Sequence, residues 1–261
     1  MLSEVLPRTL PAQPFFLETT TGKRFCLYHA PGADTQCLGV FIYIHPFGDE
    51  MNKSRRMAAM QARAFAKTGF GVLQIDLYGC GDSEGDFGDA KWDIWKNDLM
   101  FACNWIASRT QAPVNLWGLR IGALLALDFA SEHEKVLGKI VLWQPVVDGA
   151  SFLNQFLRLR IASEMFLNAG APEMATGTKA LRERLMNGES LEVAGYELSP
   201  HLAGAIEKCK AADLAVQTCA MHWFEIVAEP GRSISPAGTK VVNQWKLNGV
   251  NAQVHAVPGL P

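Results

Sequence analysis

Residues 115–122 read Asn115-Leu116-Trp117-Gly118-Leu119-Arg120-Ile121-Gly122, and the chain runs on through Ala123-Leu124-Leu125-Ala126-Leu127. An apolar, β-rich run meets a glycine, a second glycine follows four residues later, and a helix-forming apolar run begins at once. A sharp strand-to-helix turn needs small neighbours on both sides of its central residue, and glycine supplies them. The central residue here is Arg120.

Working outward, short dense runs at Cys37–Ile44, Phe70–Asp76, Val114–Trp117, Ile140–Trp143 and Trp223–Ala228 alternate with helical patterns. Continuously apolar strands of this kind suit a parallel sheet covered on both faces. Asn52–Lys67 reads as an amphipathic helix with Met57, Met60 and Ala64 on one face and Gly69 as its stop. Asp89 is expected to cap a second helix whose inward stripe is Trp92, Trp95, Leu99, Ala102 and Ile106. The third, Ile121–Ala130, is apolar nearly all round and is expected in the middle of the domain. Strand and helix in alternation predict right-handed crossovers and an α/β fold with a mostly parallel central sheet.

The rhythm fails between Asp148 and Met221, where helical segments at Ser151–Leu167 and Thr178–Met186 are joined by glycine and proline with no strong strand. The economical reading is a core domain of residues 1–149 and 220–261 with a helical cap inserted at 150–219.

Composition narrows the function. With 24 basic and 26 acidic side chains among 261 residues, the formal charge of −2 speaks against nucleic acid as a partner. Forty-nine per cent hydrophobic and 19% charged residues fit a globular chain with a large core. No apolar run approaches the ~20 residues of a membrane span. Residues 1–20 carry Glu4, Pro7, Pro11 and Pro14 where a signal peptide would be basic and then apolar, so a cytoplasmic protein is expected. Cys26, Cys37, Cys80, Cys103, Cys209 and Cys219 show no CxxC spacing and read as reduced, mostly buried thiols; neither a metal nor a cofactor is called for.

In open α/β sheets the ligand crevice lies beyond the carboxyl ends of the strands. Three loops stand there: His45-Pro46-Phe47-Gly48-Asp49-Glu50-Met51-Asn52, Leu77-Tyr78-Gly79-Cys80-Gly81-Asp82-Ser83-Glu84-Gly85, and the Gly118–Gly122 turn. With them the chain resembles the α/β-hydrolase superfamily: DLYGCGDSEG is similar to its glycine-rich loop after the fourth strand, and GLRIG occupies the place of the GxSxG nucleophile elbow. HPFGDEMNKSRRM, QIDLYGCGDSEGDF, LWGLRIGALLALD and VLWQPVVDG together resemble the exosortase A system-associated hydrolase 2 group, a branch found with bacterial PEP-CTERM sorting and exopolysaccharide genes. The resemblance runs from about Pro14 to the end and is densest from Phe41 to Gly149. It implies a cytosolic α/β-hydrolase fold, a hydrolase or acyl transferase acting on an ester or thioester, and an exosortase-system protein as a partner, without naming a substrate.

The triad that resemblance implies is altered. A serine hydrolase needs an oxygen nucleophile, a histidine base and an orienting carboxylate; Arg120 offers only donors and keeps its proton. At the acid position the chain reads Glu229-Pro230-Gly231-Arg232-Ser233, with Arg232 the best aligned and Glu229 or Asp148 as substitutes. The histidine is due after the last strand, Ala252–Val257, where the sequence reads Gly259-Leu260-Pro261; the chain is truncated or the family stops there. His255 reads as a strand-face residue.

A cation at a helix N-terminus opposes the helix dipole and calls for an anionic partner. Asp49, Glu50, Asp82 and Glu84 are the protein candidates. A substrate carboxylate or phosphate, helped by the backbone N–H groups of Phe47 and Ile121 in an oxyanion-type site, is the alternative. His45 and Gly48 would shape that loop, and Cys80 is a cleft-loop thiol whose sequence neighbours include no base. Ser83 reads as a turn brace, His201 and His222 as structural histidines within reach of a cleft, and Arg158 and Arg160 as the polar face of a cap helix. Two functions stand side by side: a hydrolase or acyl transferase with a rearranged catalytic set, and an inactive member of the fold that binds an anionic metabolite or partner through the Arg120 pocket.

Overall fold

The computed structural model describes residues 10–32, 35–133, 137–167 and 177–259. In chain order the strands are β1 (Gln13–Thr19), β2 (Gly22–His29), β3 (Gly39–Ile44), β4 (Phe70–Ile75), β5 (Val114–Leu119), β6 (Leu137–Trp143), β7 (Leu191–Val193), β8 (Tyr196–Leu198), β9 (Ala220–Val227) and β10 (Ala252–Pro258). The helices are α1 (Asp49–Lys67), α2 (Trp92–Ala107), α3 (Ile121–Glu132), α4 (Gly149–Leu167), α5 (Thr178–Met186), α6 (Pro200–Lys208) and α7 (Pro236–Leu247).

Every side chain of β3 and β5 is buried, which the alternation-free apolar runs require, and these strands pair in parallel at the centre of an eight-stranded sheet. The order is β1-β2-β4-β3-β5-β6-β9-β10. From β4 across to β10 all neighbours are parallel, while β1 and β2 add an antiparallel hairpin at one edge. The helical crossovers between parallel strands put α1 on one face, against Phe41, Tyr43 and Trp117, and α2 and α3 on the other. α3 buries nine of its residues, as its all-round apolar sequence demands.

The structure corrects several readings. α1 turns Met51, Ala58, Ala62 and Ala66 inward and leaves Met57 and Met60 exposed, because small alanines let the helix approach the sheet closely. Asp89 lies in a short 3-10 turn and α2 is preceded by Lys91, so Asp89 caps nothing; the inward stripe of α2 is as read. The β1–β2 hairpin and the β7–β8 hairpin inside the 150–219 segment were not anticipated. Residues 260–261, where the histidine loop was expected, and residues 1–9 of the segment read as unlike a signal peptide lie outside the described residues.

A buried ion pair ties the early hairpin to the site. Arg24 Nε meets Asp98 Oδ1 at 2.8 Å with both side chains excluded from water, and Asp98 Oδ2 accepts the N–H of Tyr78. Each charge keeps a partner and hydrogen bonds, the condition for carrying charge into a core. The glycine-rich loop is therefore pinned from beneath. Its Ser83 accepts the N–H of Phe25 and donates to Asp76 O, and its Glu84 accepts the N–H of Lys23.

Candidate functional site

β5 ends at Leu119, α3 begins at Ile121, and Arg120 between them holds φ 55° and ψ −119°, a strained conformation for a residue with a side chain. The flanking glycines are obligatory. A Cβ on Gly118 would stand 2.4 Å from Ala123 Cα, and one on Gly122 would stand 2.3 Å from Ile44 O. The same closeness sets the loop after β3 directly against the turn. Arg120 N–H donates to Trp143 O and Arg120 O accepts from Val146, so the neighbouring strand end fixes the turn from the other side.

At the tip, Arg120 Nε lies 3.4 Å from Glu50 Oε1, with a third of its side chain exposed. The other Glu50 oxygen is buried without a hydrogen-bond partner. One long contact through Nε leaves the two terminal guanidinium nitrogens of Arg120 without a protein acceptor among the described residues. Arg120 is also one of the residues lining a polar cleft of about 390 Å³, together with Gln144, Glu225, Arg232 and Ser233.

Gln144, directly after β6, is a second non-glycine residue held at positive φ, 42°. Its N–H donates to Phe224 O and its Oε1 accepts the N–H of Ile226, while its amide nitrogen has no hydrogen-bond partner among the described residues. Strained residues persist where surrounding structure over-determines them, and such places are commonly functional. Glu225 is occupied: its carboxylate accepts from Trp223 Nε1, Ser235 N–H and Ser235 Oγ. Arg120 and Arg232 thus bring two guanidinium groups to the residues lining the cleft, beside the carboxylate of Glu225.

The loop after β3 carries the expected oxyanion-type residues. Gly48 adopts φ 64° at the start of α1, and Phe47 and Ile121 are buried. The first N–H groups of α3 have no intrahelical acceptor, and Ile121 is the first of them. His45 is a brace rather than a binding group: Leu77 N–H donates to its Nε2 at 3.1 Å, so its proton sits on Nδ1 and is given to Pro46 O at 2.6 Å. Burial holds its pKa below the ordinary histidine value and keeps the ring neutral. Phe47 does not open an acyl pocket. Its ring packs on Phe87, Trp95, Phe152 and Phe156, so α4 lies over the loop and aromatic side chains fill the space beneath.

Of the other sequence candidates, few reach Arg120. Asp49 points away and pairs with Lys53 at 2.6 Å. Glu229 is exposed and does not line the cleft, whereas Arg232, three residues on, does. Cys80 is buried in the core, and burial raises its thiol pKa well above the ordinary range, so it is no nucleophile. Asp82 and Glu84 belong to the braced glycine loop, and Asp148 accepts the N–H of Ser151 at the start of α4. His255 is a strand-face residue, stacked on Phe224 and 3.2 Å from His222. Arg160 pairs with Glu164 beside the buried Phe156, as a cap-helix polar face would. Sequence reasoning missed Gln144, whose role depends on a backbone angle and a cross-strand partner.

The family described as serine aminopeptidase, S33 matches residues 37–215 of this chain. Among curated proteins none matches. Solved structures of similar fold include Est1E from Butyrivibrio proteoclasticus with ferulic acid bound, at 16% identity and a TM-score of 0.69, covering 94% of this chain and 89% of that one. A thermostable carboxyl esterase from Bacillus coagulans in complex with glycerol aligns at 14% identity and a TM-score of 0.64, covering 96% and 91%. A soluble variant of monoglyceride lipase from Saccharomyces cerevisiae, in complex with a substrate analogue, aligns at 12% identity and 0.64, covering 98% and 88%. At these identities the likeness is one of fold. Among the described residues no helix is long and apolar enough to cross a membrane.

Proposed function

Because the chain belongs to the serine aminopeptidase S33 family of α/β-hydrolases, we propose that it keeps that fold's elbow but uses it to hold an anion instead of attacking an ester. The observation that carries this reading is Arg120 itself: a guanidinium at the strained tip, hydrogen-bonded among the described residues through a single long Nε contact, on a residue that lines a cleft with Arg232. A permanently protonated group is neither nucleophile nor base, but it binds carboxylates and phosphates in fixed geometry. The helix N-terminus, unfavourable to the arginine, favours an anion set beside it. The ligand class is a small-molecule anionic metabolite or an acidic partner. The resemblance to the exosortase A system-associated group supports a cytoplasmic role in exopolysaccharide and PEP-CTERM envelope biology, with an exosortase-system protein as the partner class.

One observation favours a second reading, a hydrolase or acyl transferase on an ester or thioester. The loop with Phe47 and Gly48 still abuts the first turn of α3, as an oxyanion site requires. A single experiment separates the two. The protein and its Arg120→Ala variant are treated with a fluorophosphonate probe and an acyl-ester panel, then titrated with inorganic phosphate and acetate by calorimetry. The anion reading expects no covalent label, no turnover, and saturable binding lost in the folded variant. Serine labelling or ester turnover by the native protein contradicts it.

A further inference from the structure

A second cavity, of about 180 Å³, is lined by residues of α1, β2, β3 and β4, and Arg120 is not among them. Its walls are mostly apolar: Phe25 and Leu27 from β2, Met51, Ala58 and Ala59 from α1, and Ile75 from β4. Tyr43 from β3 lines it too, and the Tyr43 hydroxyl is buried without a hydrogen-bond partner among the described residues. Ser54 on α1 is near it but gives its own proton to Met51 O at 3.1 Å. The phenol ring packs against Trp117 with centroids 4.4 Å apart, which holds the hydroxyl in place. Burial pushes its pKa up to about 12, and the two charges that act on it, those of Arg55 and Asp76, belong to residues lining the same cavity. Buried hydroxyls in native folds are as a rule paired, so one left over points to a partner from outside the chain.

We propose that this cavity binds a small neutral phenol, its ring between α1 and β2 and its hydroxyl accepting from Tyr43 and donating to Asp76. The charges select a neutral ligand. Asp76 Oδ2 is taken by Arg55 at 3.4 Å and by the N–H of Asp82, so the carboxylate and the guanidinium offset each other. Asp76 Oδ1 has no hydrogen-bond partner among the described residues and is the acceptor that remains. Both ring nitrogens of His45 are engaged, and Gln74 Oε1 is held by His29, so neither adds a competing acceptor. Size selects a single ring, since a cavity of roughly 150 Å³ is known to take benzene. The walls select an aromatic one: Phe25 and Tyr43 offer ring contacts and Met51 a thioether. Water alone would meet the two polar groups but would lie against apolar side chains elsewhere, where it finds no partner. The inference stands apart from the anion reading, because neither Arg120 nor Arg232 lines this cavity.

The test is ¹⁹F NMR of 4-fluorophenol and of 4-fluoroanisole, which keeps the ring but cannot donate, each titrated with the native protein, Tyr43→Phe, Ala59→Phe and Arg120→Ala. The native protein is expected to shift and broaden the 4-fluorophenol signal saturably and to bind 4-fluoroanisole roughly tenfold or more weaker, the loss of one buried hydrogen bond. Tyr43→Phe is expected to weaken 4-fluorophenol about tenfold without lowering the melting temperature, since its hydroxyl has no protein partner to lose. Ala59 is partly exposed on α1, and the larger ring of Ala59→Phe is expected to occupy the cavity and abolish binding. Arg120→Ala is expected to bind as the native protein does. No saturable binding by the native protein overturns the proposal, as does equal affinity for phenol and anisole or native-like binding by a folded Ala59→Phe. A lower melting temperature for Tyr43→Phe overturns it by showing the hydroxyl to be satisfied within the fold. Binding lost in Arg120→Ala moves the phenol to the elbow and overturns it as well, whereas failure of phosphate to bind at Arg120 leaves it untouched and counts against the anion reading alone.

Discussion

Arg120 stands where two unfavourable terms meet. Its backbone is in a region that costs on the order of 1–3 kcal/mol for a residue with a side chain, and its charge opposes the α3 dipole by about 0.3–1 kcal/mol. Its contact to Glu50 is a single long one at 3.4 Å between half-exposed groups, worth at most about 1 kcal/mol. The balance predicts that Arg120→Gly raises stability by about 1 kcal/mol in denaturant unfolding while abolishing phosphate binding. Lower stability in that variant would show the Glu50 contact to outweigh the strain. That Glu50 and not Asp49 meets the arginine was beyond the sequence: the two are adjacent in the first turn of α1, and only the direction in which that helix leaves Gly48 decides which faces the elbow. Gln144 was illegible for a like reason, since nothing in Trp143-Gln144-Pro145 announces a positive φ or a bond to Ile226.

Among the elements, those with one dominant physical requirement were readable. The β5 turn demanded glycine at 118 and 122, and the chain has it; α3 had no polar face, and it is buried. β1 and β2 were missed because β1 has no fully buried residue and β2 buries Arg24 and His29 beside Cys26, so charges mix with aromatics and leave no dense apolar run. Three-residue strands such as β7 and β8 are too short for any period to register. α1 misled because its buried face is alanine, whose weak hydropathy lost to the exposed methionines. The junction between α4 and the loop after β3 rests on Phe47, which packs on four aromatic rings. Phe47→Ala is expected to cost about 3–5 kcal/mol and to make the segment around α4 more sensitive to limited proteolysis. A loss below 1 kcal/mol would mean that the rings close over the gap.

At the level of the whole molecule, three histidines are held neutral by burial. His45 and His29 are almost wholly buried and His222 partly so, and desolvation lowers the pKa of each from its ordinary value near 6.5. The unfolded chain therefore binds more protons than the folded one below that value, and stability falls as pH drops through 6.5 toward the lowered folded values. Asp98, raised by burial despite Arg24, works in the opposite sense. Urea unfolding at pH 7.5, 6.5 and 5.5 is expected to show a progressive loss, with the histidines prevailing over the one carboxylate. Stability that is flat or rising toward pH 5.5 would mean that these rings accept protons in place, against the bond His45 Nε2 receives from Leu77.

The same molecule-wide view places the elbow beside the ends of β6 and β9 around one cleft, while the Arg24–Asp98 pair anchors the glycine loop and α4 covers the loop after β3. What distinguishes it from an esterase site is the guanidinium at its centre. The most direct measurement is the NMR signal of the Arg120 side-chain Nε–H, assigned through Arg120→Lys, during titration with inorganic phosphate. The account predicts a saturable shift of that signal that follows the calorimetric binding curve. An Arg120 signal that stays fixed while phosphate binds elsewhere, or while none binds, would contradict it.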